Sequence, residues 1–176
     1  MSEPILEKNY SIEAVSVTPY FDMELVIQMN HSNKLDGETI GKLAEAWETW
    51  LDKLHVERIA IAKNQYVLVW LEEGVEEDVD KAWDESPNDG FALTGLAQAM
   101  LMEVIRDLVP EVAADGCAPA PKPFPTLMAA MREAGVDWDD DTTLSRRFAM
   151  ITHYPYKGGC AVCYLSKSCP NAKLGR

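Results

Sequence analysis

The sequence predicts an α+β protein in which a mostly antiparallel sheet carries helices on one face and the chain ends in a cysteine-rich metal module. Two observations predict the sheet and the helices. Short runs of alternating or continuous apolar residues are typical of strands, and longer runs with apolar residues every three or four positions are typical of helices. A third observation predicts the module, because three of the four cysteines lie within ten residues near the C-terminal end.

The strands are expected mainly in the first half of the chain. A first strand is expected around residues 12–18, and a second over 23–29, where apolar residues alternate with Glu and Gln. Residues 57–63 and 66–71 predict a hairpin that turns at Asn64-Gln65. The second of these runs is apolar on both faces, so it is placed at the centre of the sheet.

Two helices are expected around that hairpin. Asp36 is a candidate N-cap for a helix whose apolar residues recur over 40–54. Trp47 and Trp50 share its apolar stripe, which indicates that both belong to the core. A short amphipathic helix with a strongly acidic, solvated face is expected within residues 72–89.

The second half of the chain predicts two more helices and a last strand. Residues 91–109 are apolar almost all round, which is typical of a helix in the interior, and Pro110 ends the run. A short helix over 126–134 closes at Gly135. Alternation over 147–154 predicts a strand that leads into the cysteine cluster.

A proline-rich segment predicts the division of the chain. Residues 113–125 contain four prolines at alternate positions, which exclude a helix and favour an extended strap. The strap would join an α+β body, residues 1–112, to a C-terminal cysteine module, residues 126–176, packed on that body. Cys117 stands at the start of the strap.

The cysteines are the candidate ligands of a metal centre. Cys160, Cys163 and Cys169 form a C-x2-C-x5-C run that follows two glycines, and Cys117 is a possible fourth ligand from upstream. Two thiolates separated by two residues can hold one centre from a single tight turn, and the longer spacer allows about one helical turn that returns the third sulfur. His153 is the candidate substitute if Cys117 is not a ligand.

This trio with a cysteine upstream resembles the [4Fe-4S] site of endonuclease III-type DNA glycosylases, of iron-staple nucleases and of WhiB-like regulators. The resemblance covers Cys160, Cys163 and Cys169, with Cys117 as a looser match. It implies a [4Fe-4S] cofactor and no particular reaction, because those families share neither fold nor activity. A structural zinc site and unligated thiols remain open as alternatives.

The charge of the chain is divided unevenly. Net charge is −13, yet residues 142–176 contain six basic residues and none of the 29 acidic ones. Cations near a four-thiolate cluster would stabilise its negative charge. The same basic segment could instead dock on the acidic body or contact nucleic acid, although an acidic protein as a whole repels phosphate.

The motifs that are missing favour an accessory protein over an enzyme. The sequence has no glycine-rich phosphate loop, no G-x-S-x-G and no H-E-x-x-H. The expected function is electron transfer or redox sensing with a protein partner. The alternatives are a zinc- or cluster-stapled interaction or regulatory protein and an accessory subunit of a larger enzyme. No secretory signal or membrane span is recognised, so the expected location is cytoplasmic.

Overall fold

Four strands form one antiparallel sheet. The computed structural model describes residues 8–30, 35–140 and 143–172. Strands β1 (Ser11–Ala14), β2 (Leu54–Ile61), β3 (Asn64–Leu71) and β4 (Ala149–Tyr154) lie in that order across the sheet, each antiparallel to its neighbour. β3 is therefore central, as its apolar sequence predicts, and β1 and β4 are the edges.

The turn between β2 and β3 lies two residues earlier than predicted. Ile61 pairs with Asn64, so Ala62 and Lys63 form the turn and the Asn64-Gln65 pair belongs to the ladder. Ala62 adopts a positive φ of 52°, the conformation that tight two-residue hairpin turns require. The prediction placed the turn at Asn64-Gln65 because that pair separates the two apolar runs, although a pair without glycine is a weak turn signal.

Seven helices lie within the described residues. They are α1 (Met23–Met29), α2 (Gly37–Trp50), α3 (Glu73–Glu85), α4 (Pro87–Leu108), α5 (Glu111–Asp115), α6 (Pro125–Ala134) and α7 (Gly159–Val162). The predicted helices are confirmed as α2, α3, α4 and α6, and the Asp36 carboxylate caps α2 by accepting a hydrogen bond from the Thr39 N–H at 2.7 Å. None of the helices in this part of the chain is long and apolar enough to cross a bilayer.

The strand predicted over residues 23–29 is wrong, because this segment is helix α1. The Asp22 carboxylate accepts hydrogen bonds from the N–H groups of Glu24 and Leu25, at 3.0 and 3.3 Å, and so starts a helix. The consecutive residues Leu25 and Val26 are both buried, which an alternating strand with one solvated face would not allow. The N-cap and the packing on α4 therefore stabilise a helix here, although the residue types alternate as in a strand.

The sheet is covered on both faces. On one face Val67 and Val69 pack in a core built with α1 to α5, and on the other Leu68 packs in a second core with α6. The predicted α+β class and antiparallel sheet are confirmed, but the helices are not restricted to one face. The cause lies in β3, where consecutive residues are almost fully buried and both faces need a cover.

The residues after the strap contribute to this body. β4 pairs with β3 along its whole length, and α6 contacts β1 and β2. The buried Thr152 hydroxyl of β4 donates a hydrogen bond to the Pro119 carbonyl oxygen at 2.9 Å, which fixes the strap to the sheet. The described run 157–172, which carries three cysteines, contributes no side chain to either core. The segment that could behave separately is therefore shorter than the predicted module of 126–176.

We expect Glu57→Gln to stabilise the protein at neutral pH. Glu57 lies on β2, and its Oε2 atom is buried with no hydrogen-bond partner among the described residues. Burial raises the pKa of this carboxyl, and the charge of His55 opposes that effect. Because the folded-state pKa lies above the unfolded value, the ionised carboxylate costs stability as pH rises through it.

The gain from Glu57→Gln should therefore be present at pH 7 and shrink as the pH falls through the raised pKa. Urea denaturation at a series of pH values measures it. Glu48→Gln, on the exposed side of α2, is the matched control and should show no such trend. A pH-independent difference for Glu57→Gln would contradict the burial argument.

Candidate metal centre

All four cysteines line one cavity of about 560 Å³. Cys117 reaches it from the chain just after α5, Cys160 from α7, Cys163 from the C-cap of α7 and Cys169 from the turns that follow. The structure therefore brings together four predicted site residues that are separated by up to 52 positions in the sequence. None of the four forms a disulfide.

Glycines turn the chain into the cavity on both sides. Gly116 closes α5 with φ of 74° and donates its N–H to the Val112 carbonyl oxygen at 2.7 Å, which directs the next residue, Cys117. Gly158 and Gly159 also have positive φ, 81° and 54°, immediately before Cys160. Residues with a Cβ rarely adopt this conformation, so the glycines are required for both approaches.

Backbone hydrogen bonds join the cysteine segment to the strap. The Ala120 N–H donates to Cys163 Sγ at 3.4 Å, and the Ala120 carbonyl oxygen accepts from the Tyr164 N–H at 2.8 Å. An N–H donor at a cysteine sulfur stabilises negative charge there, which is one of the means by which a protein tunes a metal–thiolate centre. The strap thus supplies both a ligand candidate, Cys117, and a donor to another candidate.

Exposure differs among the cysteines. Cys117 is exposed, whereas Cys160, Cys163 and Cys169 are half-buried. Cys117 is therefore the most accessible of the four thiols. The alternative interpretation of Cys117 as a small buried hydrophobic residue is wrong, since its side chain is exposed.

The described side chains do not form a ready-made site for a single metal ion. No group of three or more His, Cys, Asp or Glu side chains in the described ranges is arranged so that it could hold a metal ion. A zinc site needs four ligands within about 2.0–2.3 Å of one ion. In a four-iron cluster each cysteine binds a different iron atom, so its sulfurs stand further apart around a larger body. Four thiols are the donor set that such a cluster uses, and all four line the cavity of about 560 Å³.

His153 does not line this cavity. It lies on β4 opposite Tyr66, with the two ring centroids 5.6 Å apart, on the sheet face that α6 covers. Burial lowers the pKa of this imidazole, and Lys157 lowers it further. The structure thus places the predicted substitute ligand with the second core and not with the cysteines.

The basic residues of the last segment lie mostly against the body. The Arg147 guanidinium binds the Asp80 carboxylate at 2.7 and 3.2 Å, and Arg146 lies 3.6 Å from Glu76, both on α3. Arg147 holds the pKa of Asp80 below its usual value. Lys157 donates to Asn64 at 3.1 Å. Lys173 and Arg176 lie outside the described residues. Three of the six cations, Arg146, Arg147 and Lys157, contact the body, as the docking alternative expects.

Sequence reasoning missed three polar residues of the cavity wall, Asp115, Ser166 and Asn171. Asp115 directly precedes Gly116-Cys117, and its carboxylate lies so near Gly159 that a Cβ there would be 3.3 Å from Oδ2. No spacing rule links these residues to the cysteines. Only the folding of α5 against the last segment brings them together.

The chain was compared with known proteins. No protein-family model matches it, and no curated protein shows significant similarity to it. The function of the site must therefore be argued from the residues and geometry described above.

Proposed function

We propose that Cys117, Cys160, Cys163 and Cys169 hold a [4Fe-4S] cluster and that the protein is an accessory protein for electron transfer or redox sensing. The observation that carries the proposal is the arrangement of all four cysteines around one cavity. A bound cluster would supply one-electron chemistry at that position. The protein would work in the reducing cytoplasm, where clustered thiols remain available to metals.

The residues around the cavity would serve this role in separate ways. Gly116, Gly158 and Gly159 let the backbone approach the site, and the Ala120 N–H would stabilise negative charge at Cys163. Cys117 lies at the exposed rim, so a protein partner that docks over it would come within the short range that electron transfer needs. That partner could be a redox protein or a larger enzyme.

A metal-stapled interaction or regulatory protein is the second candidate. It is favoured by the packing of residues 157–172, which belong to neither core and would depend on a metal for their order. Zinc could fill this role if the thiols moved closer together. We do not extend the proposal to nucleic acid, because Arg147 is already bound to Asp80 and the protein as a whole is strongly acidic.

Metal and sulfide analysis of protein purified without oxygen tests both candidates. We expect about four iron atoms and about four sulfides per chain, and loss of most of both in Cys160→Ser. Ser166→Ala is the matched control, because Ser166 lines the same cavity and is not a proposed ligand. About one zinc and no iron per chain would support the structural site instead of the cluster. Protein that contains neither iron nor zinc would show that the thiols are unligated.

A further inference from the structure

A second cavity, of about 530 Å³, adjoins the cysteine cavity. Gly116 and Cys117 line both, so the exposed cysteine separates the two spaces. The second cavity follows the outer edge of β4, where Ala149, Met150 and Ile151 form part of its wall. Its size lies in the range of about 300–1,000 Å³ that is typical of small-molecule sites.

The wall is apolar apart from a few polar groups. Trp138 and Leu165 supply large apolar surfaces, and the guanidinium groups of Arg146 and Arg147 supply positive charge. Pockets of this composition bind the body of an organic ligand through apolar contact and orient it through a small number of charges. No acidic residue lines this cavity in the described part of the chain.

Two side chains of the wall, Trp138 and Arg146, can form further polar interactions with a ligand. The Trp138 side chain is 9% exposed, and its indole N–H has no hydrogen-bond partner among the residues described. A buried donor of this kind costs stability unless a partner reaches it. Arg147 is held by two short hydrogen bonds to Asp80, whereas Arg146 only approaches Glu76 at 3.6 Å. Arg146, whose ion pair with Glu76 is the looser of the two, is therefore the cation that a ligand carboxylate would contact alongside Glu76.

We propose that this second cavity binds a small organic acid with a flat apolar body and one carboxylate. The carboxylate would lie against Arg146, the apolar body between Trp138 and Leu165, and one edge of the ligand against Cys117. The proposal rests on the proposed function in one respect only. If Cys117 binds a cluster, a ligand in the second cavity would contact that cysteine and so affect the cluster. The protein would then respond to an organic acid as well as to redox state.

Calorimetric titration with 2-naphthoate, and with neutral 2-naphthamide of the same shape, tests the binding site. We expect saturable binding of the carboxylate and at least about tenfold weaker binding of the amide, as loss of a charge-assisted hydrogen bond implies. Arg146→Gln should weaken naphthoate to the level of the amide, and Arg146→Lys should retain most of the preference for the carboxylate. Arg58→Gln, which changes an arginine outside the cavity wall, is the control and should leave both affinities unchanged.

A second variant and a spectroscopic measurement separate this proposal from the proposed function. Leu165→Trp should fill the cavity and abolish binding of both probes. In the iron-containing protein, saturating naphthoate should change the cluster's visible absorption, and Leu165→Trp should remove that change. Equal affinity for the two probes, or binding that survives both Arg146→Gln and Leu165→Trp, would overturn the site. Naphthoate binding to protein that takes up no iron and sulfide, even on reconstitution without oxygen, would uphold the site and refute the cluster.

Discussion

Replacing Cys163 with serine is expected to release residues 157–172 from a body that stays folded. This segment belongs to neither hydrophobic core, and its helix α7 has only four residues, far fewer than a helix needs to be stable alone. Its attachment to the body includes the hydrogen bonds to Ala120 and the one from Lys157 to Asn64, and the proposed metal would add to these. In proteins of this kind the free energy of metal binding is folding free energy, of the order of 10 kcal/mol for structural zinc.

Limited digestion with trypsin measures that release. Lys157 and Lys167 lie in the segment and should be cleaved within minutes in Cys163→Ser but slowly in the parent protein. The body should keep its unfolding temperature within a few degrees, since β4 ends at Tyr154, before the segment begins. Ser166→Ala controls for a change in the cavity wall that leaves all four thiols in place. Unfolding of the whole chain in Cys163→Ser would show that the segment and the body form one cooperative unit.

The parts of the fold that sequence could predict are those decided by long patterns. The apolar stripe of α2 and the nearly continuous apolar run of α4 each extend over several turns. The prediction of a helix therefore does not depend on any single residue there. α1 is only seven residues long, and its type was decided by the Asp22 side chain and by packing on α4. Alternation over so few positions cannot outweigh such tertiary contacts.

The candidate site divides in the same way. Cys160, Cys163 and Cys169 are close in sequence, and their spacing alone predicted a common site. The position of Cys117 depends on α5, on the left-handed Gly116 and on the Thr152–Pro119 hydrogen bond, which together bring the strap back over β4. The second cavity depends on Trp138 and Arg146, from the connection between α6 and β4, and on Leu165 from the last segment. No local pattern marks residues that meet only through tertiary structure.

Replacing Trp50 with alanine is expected to lower the free energy of unfolding by about 3–5 kcal/mol. Trp50 ends α2 in the first core and is fully buried, and its indole N–H donates to the Asp78 carboxylate at 2.8 Å. The alanine variant loses the apolar contacts of the ring and leaves a cavity, and Asp78 loses a donor. Domains of this size are stable by about 5–15 kcal/mol, so this one change removes a large share of the total.

Urea denaturation followed by circular dichroism measures the loss, and two variants divide it. Trp50→Phe keeps most of the ring volume, so we expect it to lose far less than the alanine variant. Trp83→Ala is the matched control, because that side chain is 36% exposed and packs at the surface on Phe91 and Gly90 of α4. It should cost less than half as much as Trp50→Ala. Equal losses at the two tryptophans would contradict the assignment of Trp50 to the core.

Trp50→Ala also tests how the cysteine segment depends on the body. The strap is fixed to the body through the hydrogen bond between Pro119 and Thr152 of β4, and β4 is held by β3. Unfolding of the body therefore removes both Cys117 and the Ala120 donor from the site. We expect Trp50→Ala to lose its iron at the same urea concentration at which its helices unfold, whereas Cys163→Ser loses iron from a folded body. Iron retained beyond the unfolding of the body would show that residues 157–172 can hold it without the strap.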